Sequence, residues 1–219
     1  MKISICDITD EPVVLMSILI LLCSFLTFKR YKQSWERRLY QANHDDLTGL
    51  AMRRLFKPEL FKRLEAIRKR GCGSLAVFYI DVDRFKLVND IQGHNVGDLV
   101  LKSVADVLHC HIRQCDFAVR VGGDEFIVLL ENIQDGDIDV YAEKLIGLIQ
   151  NAMKQVCSDI DVGISLGISS YPFDTEDPIE LVNFADKALL QLKVLKKRQT
   201  VEKDFFFYYE LDNGGNTKV

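Results

Sequence analysis

Between Val13 and Phe28 the chain reads VVLMSILILLCSFLTF, with no charged residue. Such a segment is apolar all round, whereas a helix packed on a soluble core carries only an apolar stripe. Sixteen helical residues rise about 24 Å, short of the roughly 30 Å hydrocarbon core of a bilayer. Pro12 and the long stems of Lys29 and Arg30 bring the span into tolerance. A cleaved signal peptide fits poorly. Only Lys2 is basic ahead of the run, Asp7, Asp10 and Glu11 are acidic, and no A-x-A site follows. The pattern therefore predicts a transmembrane helix over about 12–28. Lys29, Arg30, Lys32, Arg37 and Arg38 crowd its C-terminal side. The positive-inside rule then makes it a single-pass anchor with the rest of the chain cytoplasmic. Residues 29–43 lack Gly and Pro and predict a helical stalk. It is either a solvated charged helix or one that pairs with another copy.

Past the stalk the periodicity changes repeatedly. Asp46-Leu47-Thr48-Gly49 reads as a capped turn opening a helix. Arg53 to Arg70 then spaces Leu55, Leu60, Phe61, Leu64 and Ile67 as a helix does, and Gly71-Cys72-Gly73 stops it. Leu75 to Ile80 is a continuous apolar run that predicts a central buried strand. Gly97 to Ile112 is helical, with Leu101, Val104, Ala105 and Leu108 on one face. Phe117 to Val121 and Glu125 to Leu130 are short strand-like runs around Gly122-Gly123, a hairpin signal. Val140 to Met153 predicts a helix, Val162 to Ser169 a strand, Ile179 to Leu195 a helix and Phe205 to Tyr209 a last strand. This mixture predicts an α+β fold, a mainly antiparallel central sheet covered by helices. There is no internal repeat.

Composition narrows the function. A net charge of -4 is no basic excess for gripping duplex DNA, so no nucleic-acid partner is expected. The six cysteines show no C-x-x-C pair and predict reduced, mostly structural thiols. His109, Cys110, His111 and Cys115 invite a zinc reading, but on a helix His109 and His111 point about 200° apart, and they do not face one ion.

Charge sits where apolar strands end. Asp81 closes the first strand, and Asp124 and Glu125 cap the hairpin beside two glycines. If both strands lie centrally in one sheet, these carboxylates converge. Hard oxygen donors with room for water suit Mg²⁺ serving substrate phosphates. Gly122 and Gly123 would let a base or phosphate approach the backbone. The plain alternative is a tight hairpin with an exposed acidic tip. Asp81 to Asp98 reads DVDRFKLVNDIQGHNVGD. A turn after a strand, with Arg84 and Lys86, suits a triphosphate. Asn89 and Asp98 together match a guanine edge. Its plain alternative is a polar loop leading into a capped helix.

These residues carry a resemblance. The chain resembles the diguanylate cyclase family, whose domain is named for the string found here as Gly122-Gly123-Asp124-Glu125-Phe126. Asp45 to Leu50 resembles the family's opening motif. Phe78 to Lys86 with Asn89-Asp90 resembles its metal and phosphate segment, and Gly93-His94 and Gly97-Asp98 the next. Ser165 to Ile168 and Ala185 to Leu189 resemble its late strand and helix. Motifs in this order and spacing are specific.

The resemblance implies a nucleotidyl-cyclase or polymerase-palm-like domain over 44–210, with 211–219 as a tail. It implies condensation of two GTP to cyclic di-GMP and two pyrophosphates by a homodimer. Asp81, the Val82 carbonyl and Asp124 would hold Mg²⁺, or Mn²⁺ in its place, two ions per site. Glu125 would assist at the metal or deprotonate the 3′-hydroxyl. Backbone amides of Arg84, Phe85 and Lys86 would hold phosphates, Asn89 and Asp98 would read guanine, and Lys193 would act as a point charge on the phosphates. Arg113 and Asp116 form R-x-x-D at the spacing of an inhibitory site for the product. The departures are Met52 for Asn, Leu190 for Tyr, Lys196 for Gly and Lys197 for a phosphate-contacting Arg. They are expected to lie at the periphery of the site and to affect turnover more than metal binding. Two rival functions remain beside the active cyclase: a GTP or cyclic di-GMP receptor without turnover, and a cyclase making a mixed dinucleotide.

Overall fold

The computed structural model describes residues 11–198 and 206–208. The chain divides at Asn43 into two units. The first is helix α1, Glu11–Asn43, 33 residues without a break. Its side chains from 14 to 42 are exposed, Leu15 and Phe25 among them. By length and composition alone it is apolar enough to cross a membrane. Lys2, Cys6, Asp7 and Asp10 lie outside the described residues.

The second unit begins at His44. Its elements are β1 (Ala51–Met52), α2 (Arg53–Arg70), β2 (Leu75–Asp83), α3 (Phe85–Gln92), α4 (His94–His111), β3 (Phe117–Gly122) and β4 (Glu125–Glu131). They continue with α5 (Asp135–Val156), β5 (Gly163–Tyr171), α6 (Pro178–Lys197) and β6 (Phe206–Tyr208). The strands form one sheet in the order β1-β3-β4-β2-β5-β6. The interior pairs β3–β4, β4–β2 and β2–β5 are antiparallel, and only the edge pairs β1–β3 and β5–β6 are parallel. The expected mainly antiparallel sheet under helices is thus the observed fold.

Strand alternation splits the core in two. Ala76, Phe78, Ile80 and Val82 of β2 pack with Val104 and Leu108 of α4 and Ala142 and Ile149 of α5. Leu75 and Val77 face the opposite layer, with Leu60 and Leu64 of α2 and Ala185 of α6. Each large apolar side chain so buried contributes roughly 1.5–3 kcal/mol. The α6 layer lies very close to the sheet: a Cβ on Gly167 would collide with the backbone of Ala185 and Leu189. Tyr79, Asp81 and Asp83 continue the α2/α6 face of β2, so this periodicity decides where the carboxylates point.

Several boundaries differ from the pattern. The turn at 45–49 leads into β1, not directly into α2. It is held by Thr48 N and Oγ donating to Asp45 Oδ1 at 2.9 and 2.6 Å. Met52 at the N-cap of α2 makes no side-chain capping bond. Within α2 the buried stripe is Phe56, Leu60, Leu64 and Ile67, while Phe61 is exposed. Helix α4 starts at His94, three residues early, and α3 stands where a loop was expected. The expected last strand is seen at Phe206–Tyr208, and Phe205 and Tyr209 lie outside the described residues. The thiols are not mostly buried. Cys23, Cys72, Cys110 and Cys115 are free and exposed, and Cys157 alone among the described ones is buried.

Candidate active site

Asp81 lies opposite Glu125 on β4 and Ser165 on β5, so it sits at the centre of the sheet. Opposed residues of antiparallel strands share a face, which places Asp81 and Glu125 side by side. The ladder reaches one residue further, with Val82 N donating to the Asp124 carbonyl at 3.3 Å. The hairpin therefore delivers Asp124 beside the Asp81-Val82 segment. A register shift between Arg120 and Gly122 bends the β3 edge just before the turn. Gly123 takes a positive φ of 56° there, a conformation that glycine adopts without strain.

Across from these carboxylates runs α6. Lys193 Nζ is 2.5 Å from Asp81 Oδ2. Asp81, Val82, Asp124, Glu125, Lys193 and Lys197 line one cleft of about 1020 Å³, with Arg84, Phe85 and Lys86 on its wall. The last three are not a loop. Arg84 takes a positive φ of 60° and caps α3, whose first turn holds Phe85 and Lys86. N–H groups in the first turn of a helix have no intrahelical acceptor and attract anions. The Arg84 side chain itself leans on Asp161 at 3.6 Å in an exposed pair, an interaction of small energy.

Burial pushes the Asp81 carboxyl up to about 6, against the Lys193 hydrogen bond and charge, with the like charges of Asp124 and Asp83 adding to the rise. A raised carboxyl destabilises the fold wherever it is charged. The cost is absent below the unfolded value of 3.8 and fully present above about 6, on the order of 3 kcal/mol. We expect the metal-free protein to lose stability relative to Asp81→Asn as pH rises from 4 to 6.5. Parallel melting curves across that range check this, and a constant difference would refute it. Burial, with the charges of Glu125 and Asp186 nearby, likewise raises the Tyr79 hydroxyl to about 12.

Asn89 and Asp98 fall outside the cleft lining. Asn89 lies against Gly97, the residue before Asp98, where α3 meets α4. A Cβ at 97 would overlap the Asn89 carboxamide oxygen. Gly97→Ala is expected to keep the fold, since alanine favours a helix by about 1 kcal/mol, and to displace Asn89. GTP affinity should drop about tenfold with little change in melting temperature. Unchanged nucleotide binding would remove Asn89 from the guanine subsite.

Arg113 and Asp116 stand apart from the cleft and are closed on each other. Arg113 Nε and Nη2 donate to the two Asp116 oxygens at 3.0 Å each, and the Arg113 and Glu131 amides donate at 2.9 and 3.2 Å. The Asp116 side chain is fully buried and Arg113 is half-exposed. Arg113 Nη2 also reaches the Glu131 carbonyl at 2.7 Å.

Sequence reasoning does not find several groups of this site. Lys196, expected at the periphery, lines the cleft, as do Gln150, Lys154 and Asp161. Arg120 links the hairpin turn to the 45–49 turn through Gly123 O and Asp45. Lys196 has a signal in hindsight: it is a cation one turn beyond Lys193. Among the described residues no three of His, Cys, Asp and Glu gather as a metal cluster. Asp81, Asp124 and Glu125 bring carboxylates to the cleft and Val82 its carbonyl, hard oxygens suited to Mg²⁺ or Mn²⁺. The Lys193 ammonium against Asp81 stands in for a cation there.

Fold and site define a class: a palm-like α+β domain whose cleft sets acidic strand ends against lysines. A family model described as "Diguanylate cyclase, GGDEF domain" matches residues 42–199. The chain belongs to this family. Diguanylate cyclase A of Treponema denticola is 38% identical over 154 residues, covering 68% of this chain and 41% of that protein. Cyclic di-GMP phosphodiesterase NbdA of Pseudomonas aeruginosa is 37% identical over 152 residues, 69% of this chain and 19% of that protein. Among solved structures, the GGDEF domain of TpbB from Pseudomonas aeruginosa superposes with a TM-score of 0.63 at 32% identity, covering 77% of this chain and 95% of that one. The chain spans 19–41% of the length of the first curated relatives it matches.

Proposed function

We propose that this chain is an active diguanylate cyclase, joining two GTP into cyclic di-GMP with release of two pyrophosphates. The observation that carries the reading is the convergence of Asp81, Asp124, Glu125 and Lys193 on one cleft whose wall is the N-terminus of α3. Asp81, Asp124 and the Val82 carbonyl would hold divalent cations, Mg²⁺ or Mn²⁺, two per site. Such ions supply Lewis-acid stabilisation of the attacking and leaving oxygens.

The chain's own residues do the rest. First-turn amides of α3, with Lys86 and Lys197, hold the β- and γ-phosphates. Lys193 places a positive charge where the triphosphate lies, on the same ammonium that meets Asp81. Asn89 and Asp98 hold the guanine edge at the α3–α4 junction and so orient the nucleotide. Glu125 accepts the proton of the 3′-hydroxyl as it attacks the α-phosphorus of the second GTP. Each subunit offers one nucleotide, so turnover requires a homodimer. Helix α1 supplies both the membrane span, with the catalytic unit in the cytoplasm, and a pairing element. Cyclic di-GMP inhibits through Arg113: a guanine edge or phosphate takes the guanidinium in place of Asp116.

The test is a product assay on the full chain in lipid nanodiscs with GTP and Mg²⁺. The expected result is cyclic di-GMP and pyrophosphate in a one-to-two ratio. A folded protein that binds GTP and forms no dinucleotide is instead a receptor, and a mixed adenine–guanine product from a GTP/ATP mixture would revise the substrate.

A further inference from the structure

Two ion pairs join helix α6 to strand β2 side by side: Lys193 with Asp81 at 2.5 Å and Lys196 with Asp83 at 2.7 Å. Their surroundings differ. Lys196 Nζ also donates to the Ile164 carbonyl at 3.0 Å and to Ser165 Oγ at 2.8 Å. Ser165 Oγ in turn donates to the other Asp83 oxygen at 2.6 Å. An ammonium has three N–H donors, and these acceptors use all three. Both Asp83 oxygens are engaged as well. The resulting ring ties together the end of β2, the start of β5 and the last turn of α6. Lys196 is 25% exposed, Asp83 21%, and Ser165 is fully buried. Charge-assisted bonds in such an enclosed ring are directional, unlike a screened surface pair.

The end of α6 is closed by the Arg198 amide, which donates to the Val194 and Leu195 carbonyls at 3.2 and 3.1 Å. Its C-cap is Arg198 in a right-handed conformation, without the left-handed glycine that closes many helices. The Lys196 side chain adds to these backbone bonds a tie from the last turn to the sheet. A lysine whose donors are consumed is not a phosphate ligand. We propose that Lys196 is a positioning residue: it clamps the last turn of α6 onto the sheet so that Lys193 and Lys197 face the triphosphate subsite. In the same ring it keeps Asp83 engaged, away from Asp81 and Asp124. The identity of the nucleotide rests on the cyclase reading; the clamp is geometry of this chain.

The experiment measures binding of mant-GTP, with Ca²⁺ as the cation, and steady-state turnover on the full chain in nanodiscs. The variants are Lys196→Met, Lys196→Arg, Lys197→Ala and the Met/Ala double. Lys196→Met is expected to weaken mant-GTP binding about tenfold and to raise KM equally, the equivalent of one charge-assisted bond, with kcat within about threefold. Lys196→Arg should recover most of the binding. In the Lys197→Ala background Lys196→Met should cost less than about threefold, because the group it positions is gone. Fully additive losses, or a fall in kcat with binding unchanged, would overturn the proposal. If Lys196→Met does not fold, Ser165→Ala removes two bonds of the ring and no charge. It should weaken binding two- to fourfold, on the order of a neutral hydrogen bond, and unchanged binding there overturns the clamp. A parent that makes no dinucleotide yet binds mant-GTP in a Lys196-dependent way refutes the cyclase reading and supports the clamp. A parent that makes cyclic di-GMP with Lys196→Met binding unaltered does the reverse.

Discussion

Asp124→Ala is expected to abolish cyclic di-GMP formation, by at least about 10³-fold, in a protein that folds normally. The size follows from the role: a carboxylate that holds the cation stabilising the transition state is worth several kcal/mol. The normal fold follows from the structure. Asp124 lies at a hairpin tip and its tie to β2 is made by its backbone carbonyl, which accepts from Val82 N at 3.3 Å and survives truncation of the side chain. Its carboxylate is also one of the like charges that raise Asp81, after burial. Removing it should lower the Asp81 carboxyl somewhat while burial still holds it up. Metal-free Asp124→Ala should therefore melt no lower than the parent at pH 7. The checks are nucleotide separation after incubation with GTP and a thermal melt without metal. Product at more than a tenth of the parental rate would take Asp124 out of the reaction.

The second large effect is expected from a residue outside the cleft lining. Arg120 donates from Nη1 to Asp45 Oδ1 at 2.8 Å and from Nε and Nη2 to the Gly123 carbonyl at 3.1 and 2.7 Å. One planar guanidinium thus joins the 45–49 turn to the peptide that precedes Asp124. Both partners of the ion pair are largely enclosed, at 13% and 24% exposure. Burial alone would raise Asp45; hydrogen bonds from Thr48 and Arg120 outweigh it and hold the carboxyl below its ordinary value. That contribution to stability is present above the unfolded value near 4 and is lost as pH falls through the lowered one. Arg120→Ala leaves Asp45 and Gly123 O without this partner, at a cost of about 3 kcal/mol, or roughly 6–12 °C in melting temperature for a domain of this size. Turnover should fall ten- to a hundredfold, since a loosened tip misplaces Asp124. Arg120→Lys should recover part of the stability but little of the rate, because a point charge does not span two acceptors in a fixed fork. Equal turnover in Arg120→Ala and the parent would show that the tip needs no such anchor.

The elements that the sequence makes legible are those whose signal is local. Helix α2 is predicted at Arg53–Arg70 and found there, since apolar spacing and Gly71 with its positive φ mark both its face and its end. The hairpin turn is legible from Gly122-Gly123 for the same reason. β2 is predicted only to Ile80, because Asp81 and Asp83 interrupt the apolar run. The strand continues to Asp83 because β5 pairs with it along that whole length. Helix α3 has only a short local signature, Phe85, Val88 and Ile91 at helical spacing. It spans eight residues, starts from a left-handed Arg84 with no side-chain cap, and buries only Val88. Its existence depends on packing against α4.

The same division holds for chemistry. The order and spacing of motifs were enough to place the chain in the GGDEF-domain family and to single out Asp81, Asp124, Glu125 and Lys193, which the fold gathers at one cleft, because each motif is a short stretch of contiguous residues. The sequence also marked Lys196 as a departure, but at a helix end and of peripheral effect. Its partners Asp83, Ile164 and Ser165 stand 113, 32 and 31 positions away. Only the packing of α6 across β2 and β5 brings them to one nitrogen. Arg120 and Asp45, separated by 75 positions, are a second case. Local pattern and motif spacing determined most of the elements and the family of this chain. Which charges meet was decided by the tertiary fold, since ion pairs form between residues close in space whatever their separation along the chain.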